Sequence, residues 1–223
     1  MHSVARPSVA IVATLVLLAQ PILAFQSPLS DESVREAYFL GQRHDGSFEG
    51  LVEKSTRRFP PPRTGPYVFS IMFASPFLSA AQLSNAHLGN YSAQQAEQDH
   101  REAGEEIVKI TVQIQLTESY GQFIAPAKTN SRSGSASVLI TRPDDFWRDF
   151  QVRIFNGEQA LSNSVYHGRP NYSCGERGPC TLIGATLTFE FPADAFPADS
   201  ASITVEPPEG EPITADFDLG HLR

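Results

Sequence analysis

The stretch Ile107–Leu116, IVKITVQIQL, constrains this chain more than any other. Val108, Ile110, Val112, Ile114 and Leu116 fall on one side of an extended strand, and Lys109, Thr111, Gln113 and Gln115 on the other. Strict period-two alternation rich in β-branched residues predicts a strand with one face in a core and the other in water. We read it as a central strand of a mostly antiparallel sheet on which the rest is organised.

Further strands are predicted around it. Residues 67–74 place Tyr67, Phe69, Ile71 and Phe73 on one face. A short strand is expected at 137–141, after a polar Ser/Gly/Asn loop from Lys128. Residues 150–155 alternate through Phe150, Val152 and Ile154 and close at Asn156-Gly157, a strong hairpin signal. Residues 160–166 pair back. Residues 180–191 alternate again, with Ile183, Ala185, Leu187, Phe189 and Phe191 on one side. Residues 202–206 and 213–219 complete the set. Many short strands separated by Pro/Gly turns predict a mainly β chain, an antiparallel β-sandwich, with a partly open barrel as the alternative.

Ahead of the strands lies a helical hairpin, residues 25–58. Ser30 caps a first helix that carries Asp31 and Glu32 in its first turn and Val34, Ala37, Tyr38 and Gly41 on one face. Asp45-Gly46 turns the chain into a second helix bearing Phe48, Leu51 and Val52. Residues 59–66, FPPPRTGP, read as a semi-rigid linker to a β domain spanning 67–223. Within that domain Ser92 caps an inserted, almost wholly polar helix that Gly104 stops. Residues 75–90 carry no clear period.

Residues 1–24 have the three parts of a secretory signal peptide: Arg6, the apolar run from Val9 to Ala19, and small Ala24 before a cut. We therefore expect a secreted or periplasmic protein with no transmembrane segment in its mature chain. Apolar residues make up 41% of the sequence, enough for a real core. Removing Arg6 leaves 16 Lys and Arg against 25 Asp and Glu, a net charge of −9. Without a basic stripe, that balance argues against nucleic acid and anionic lipid as partners.

Cys174 and Cys180 form an even, close pair, which in an oxidising compartment predicts a disulfide. No nucleophile elbow, phosphate-binding loop, dinucleotide fingerprint or spaced metal motif occurs, so no cofactor and no catalytic residue is assigned. Carboxylates such as Asp144, Asp145 and Glu190 are read as turn caps and a strand-end acid. Trp147 is read as core. The sequons at Asn90 and Asn171 matter only on a eukaryotic secretory route.

The best recognition candidate is the stretch from Tyr166 to Ser173, where Tyr166, His167, Arg169 and Tyr172 combine types enriched in binding hot spots on what reads as a loop. We expect a module that binds a protein or glycan at the cell envelope through loops at one end of the sandwich. One alternative is an extracytoplasmic, metal-assisted hydrolase built from His44, Asp45, Asp99 and His100. Another is a structural envelope component.

Overall fold

Strand β3 (Ile107–Leu116) lies in the middle of a five-stranded antiparallel sheet, as its alternation requires. Val108, Ile110, Val112 and Ile114 are completely buried, while Lys109 and Gln113 are exposed. The computed structural model describes residues 25–121, 123–124, 140–162, 165–175 and 180–222. The expected signal peptide and the polar loop from Lys128 up to residue 139 lie outside these residues.

The neighbours of β3 are β2 (Pro66–Ala74) and β9 (Cys180–Pro192). The sheet is completed by β1 (Thr56–Arg58) beyond β2 and β8 (Val165–Cys174) beyond β9. Short strands β4 (Phe123–Ile124) and β5 (Ile140–Thr141) pair with each other. A second, four-stranded antiparallel sheet runs in the order β11 (Ile213–Asp218), β10 (Ser200–Glu206), β6 (Gln151–Asn156), β7 (Gln159–Leu161). The described residues are thus mainly β, with two larger antiparallel sheets beside the β4–β5 pair, and they form no closed barrel.

Register places apolar residues in rows across β2, β3 and β9: Phe73–Ile110–Phe189, Ile71–Val112–Leu187 and Val68–Ile114–Ala185. The second sheet contributes Ile154, Ile203, Val205 and Phe217 to the same buried cluster. Phe73 bridges the two sheets, its ring 5.8 Å from Phe217 and 5.2 Å from Phe196. Each such side chain withdrawn from water stabilises the fold by about 1.5–3 kcal/mol.

Two β-bulges alter the expected faces. In β2 the register shifts between Val68 and Ser70, so Val68, Ile71 and Phe73 face the core and Phe69 is the extra residue. Opposite the Asn171/Tyr172 step, Ile183 is the extra residue of β9, which leaves Ile183 44% exposed and turns Leu182 inward at 3%.

Helix α1 (Asp31–Gly41) is capped by Ser30, as its sequence indicates, and α2 (Ser47–Lys54) follows. The last residues of the expected hairpin form β1, and the proline-rich stretch then joins β1 to β2, with the Phe59 N–H bonded to the Phe69 carbonyl. Residues 75–90, which show no clear period in the sequence, hold α3 (Pro76–Ala86), with Ser75 as its cap and Pro76 in its first turn. The polar helix is α4 (Ala93–Ala103), closed by a reciprocal Ser92/Gln95 capping box. Val34 and Ala37 of α1, Leu78 and Ala81 of α3, and Ala96 of α4 form a second buried cluster with Ala74 at the end of β2. Gly41 permits the close crossing of α1 and α3: a Cβ there would sit 2.2 Å from the Ala81 carbonyl oxygen. Arg35 binds Glu97 at 2.7 Å and ties α1 to α4.

The expected disulfide is present. Cys174 and Cys180 stand opposite each other in register and close the β8–β9 pair.

Candidate functional site

Residues 166–173, expected as a loop, are strand β8. Its pairing with β9 runs from Val165↔Glu190 to Cys174↔Cys180, so backbone hydrogen bonding along the ladder wins over the loop-like composition. Pro170 is tolerated because β8 is the last strand of its sheet. Gly168 is there for space: a Cβ would lie 2.5 Å from Cη2 of Trp147.

A strand sends alternate residues to opposite faces, and this divides the four recognition candidates. Tyr166 pairs with Phe189 and Tyr172 with Leu182, so both sit on the inward side. Tyr166 stacks on Phe189 at 4.9 Å and meets the edge of Trp147 at 5.7 Å. Burial pushes its phenol pKa up, against the opposing pull of Arg148. The Tyr172 hydroxyl donates to Asp144, and that bond raises its pKa. Trp147 is core, as expected, with its indole N–H lacking an acceptor among the described residues. His167 and Arg169 instead point outward with Asn171, away from the tyrosines.

There they join a polar face that sequence reasoning missed, because it is assembled from strands far apart in the chain. In one row across the sheet stand Met72, Thr111, Thr188 and His167. In the next stand Ser70, Gln113, Thr186 and Arg169, and in the third Tyr67, Gln115, Gly184 and Asn171. Tyr67 donates its hydroxyl to Gln115 at 2.9 Å, Ser70 donates to Gln113 at 3.3 Å, and the Asn171 amide donates to Thr186 at 2.9 Å. His167, Arg169 and Gln113 are exposed. Toward β1 the face dips into a depression of about 170 Å³ lined by Thr56, Arg58, Phe69, Met72, Thr111 and Gln113 among others. Hydroxyls, amides and a guanidinium on paired strands are held in fixed relation, the arrangement needed to read a ligand rich in hydroxyl or carboxyl groups. The only hint in the sequence was the polar half of each alternating strand.

At the end of this face where Lys109 and Glu190 form an ion pair at 3.2 Å, helices α3 and α4 rise over the sheet and enclose a groove. Asp99 and His100 of α4 line it. Asp99 accepts the Tyr91 hydroxyl at 2.8 Å. His100 Nε2 lies 3.2 Å from Glu106, whose carboxylate also accepts the Ser27 hydroxyl at 2.6 Å and the Leu29 N–H. Desolvation, followed by the bond and charge of Asp99, pushes the Tyr91 pKa up to about 12.

The other half of the hydrolase set does not join them in a metal site. Asp45 accepts the backbone N–H and the hydroxyl of Ser47 at the start of α2, and these bonds hold its carboxyl below the usual range. His44 is exposed in the same turn. Among the described residues no three His, Cys, Asp or Glu side chains could hold a metal ion together. Asp144 accepts the Tyr172 hydroxyl, Asp145 pairs with Arg148 at 3.5 Å, and Glu190 pairs with Lys109. No helix among the described residues is long and apolar enough to cross a membrane.

The chain matches no protein-family model and no curated protein.

Proposed function

We propose that this protein is an extracytoplasmic binding module, a β-sandwich in design, that recognises a glycan on the outward face of its five-stranded sheet. The supporting observation is the set of rows Thr111–Thr188–His167 and Gln113–Thr186–Arg169, in which hydrogen-bonding side chains from β3, β9 and β8 lie side by side. Paired strands fix their spacing, and preorganised polar groups lose little freedom on binding. A glycan fits better than a protein partner. Protein interfaces centre on large apolar anchors, whereas the rows of this face carry hydroxyls, amides, an imidazole and a guanidinium. Of the exposed large apolar side chains, Phe39, Leu83 and Leu88 lie on or beside the helices, Tyr166 and Tyr172 belong to the opposite side of β8, and Ile183 sits at the β9 bulge. Of the residues singled out in the sequence, His167 and Arg169 belong to this site, while Tyr166 and Tyr172 support β8 from the other side. The signal-peptide pattern and the disulfide agree with a role outside the cytoplasm. The hydrolase alternative gains no support, since Asp45, Asp99 and His100 are each engaged by different neighbours.

Calorimetric titration with soluble polysaccharides and peptidoglycan fragments tests the reading. The double variant His167→Ala/Arg169→Ala should weaken glycan binding at least about tenfold, roughly 1.4 kcal/mol, with its unfolding midpoint little changed because both side chains are exposed. Undiminished binding by that variant would remove the face from consideration.

A further inference from the structure

The groove at the helical end of the sheet encloses about 340 Å³, within the range of small-molecule sites. Its floor is apolar, from Val34, Pro76, Ala80, Ala96 and Ile107. Leu83 stands at its margin, 43% exposed although it lies beside that floor. The charge around the groove is one-sided. Asp99, Glu105, Glu106 and Glu190 line it against Lys109 alone, so negative charge is in excess whichever state His100 holds. Two of the four acids face a basic side chain, Glu190 that of Lys109 and Glu106 that of His100, and Glu106 also accepts from Ser27 and Leu29. Asp99 and Glu105 are exposed, and neither takes part in an ion pair among the described residues. Beside them stands the Tyr91 ring, whose hydroxyl is fixed by its bond to Asp99.

We propose that this groove is a second binding site, for a small organic cation with an apolar body. The body lies against Ala80, Leu83, Ala96 and Ile107. The ammonium head sits at the rim by Asp99 and Glu105, against the face of Tyr91. Each part of the ligand meets what complements it: apolar area for the body, carboxylates not neutralised by a cation among the described residues for the charge, and an aromatic ring for cation–π attraction. An anionic amphiphile of equal size is disfavoured by the same carboxylates. The glycan face and the groove share a sheet but use different residues, so the two assignments stand or fall separately.

The test uses 2-phenylethylammonium and 3-phenylpropionate, probes with a common body and opposite charge, titrated into the protein and followed by calorimetry or ligand-observed NMR. The ammonium should bind saturably and more weakly as salt is raised, and the carboxylate should not saturate. Asp99→Asn should weaken the ammonium about tenfold, and Asp99→Asn/Glu105→Gln further. Both positions are exposed, so the variants should keep the parent unfolding midpoint. Ala80→Trp, which fills the floor, should abolish binding, while Arg169→Ala should leave it unchanged. Equal affinity for both probes, indifference to the Asp99 and Glu105 substitutions, or no saturation by the ammonium up to roughly 10 mM would overturn the proposal.

Discussion

Single residues decide which features of this chain look like function and which are structural. Gly168 and Pro170 give residues 166–173 the composition of a loop, yet each has a place in an edge strand, Gly168 because the Trp147 ring lies against its Cα. Gly168→Ala should therefore displace the indole and destabilise the fold by about 1–3 kcal/mol, the usual cost of overpacking, measurable by urea unfolding. Asn156 is a parallel case. Its sequence signal is the turn it shares with Gly157, but its side chain is 3% exposed, donates to the Ala198 and Ser200 carbonyls and accepts from the Ala198 N–H. Asn156→Ala leaves those groups without partners and should cost about 1–3 kcal/mol. Tyr91 makes a pH-dependent prediction. Its folded pKa of about 12 exceeds the ordinary 10, so the folded state holds the phenolic proton more tightly. The resulting stabilisation is complete below pH 10 and is lost as pH rises from 10 through about 12. Tyr166 and Tyr172, also raised, act in the same direction. In alkaline thermal melts, Tyr91→Phe should lose stability less steeply across that window than the parent.

At the scale of elements, alternation and capping were legible and bulges were not. The alternation of β3, the turn at Asn156-Gly157 and the Ser30 and Ser92 caps appear where the sequence places them, but the returning arm is only β7, since Val165 and Tyr166 pair with β9 in the other sheet. Helix α3 was hidden because PFLSAAQLSNA is apolar around much of its circumference, from packing against both α1 and β2, and so shows weak periodicity. The readable signal was Ser75-Pro76, a capping serine followed by proline at the first helical position. Ser75→Ala should destabilise the protein by about 1 kcal/mol. A single inserted residue reverses strand parity, which is why simple alternation groups Ile183, and not Leu182, with Ala185 and Leu187. The disulfide closes only the short connection between β8 and β9. Its reduction should lower stability by about 2 kcal/mol by the chain-entropy argument and leave the sheet in place, as read by far-ultraviolet circular dichroism.

For the whole molecule, the two apolar faces were visible in the sequence but the outward face was not. Buried residues announce themselves by hydrophobicity, strand after strand. Polar residues facing water look alike wherever they lie, and only the strand order β1-β2-β3-β9-β8 brings Gln113, Thr186 and Arg169 into one row. The helices were visible as helices, but their docking at the Ala74 end of β2, which shapes the groove, depends on a crossing made possible by Gly41. The central claim is that ligand recognition belongs to the outward polar face. The most direct measurement is the pattern of backbone amide shifts when soluble polysaccharides and peptidoglycan fragments are titrated into isotope-labelled protein. Saturable shifts concentrated at Thr111, Gln113, Thr186, Thr188, His167 and Arg169 are the predicted result. Shifts confined to the inward side, around Tyr166, Trp147 and Tyr172, or no saturable shifts with any of these glycans, would contradict it.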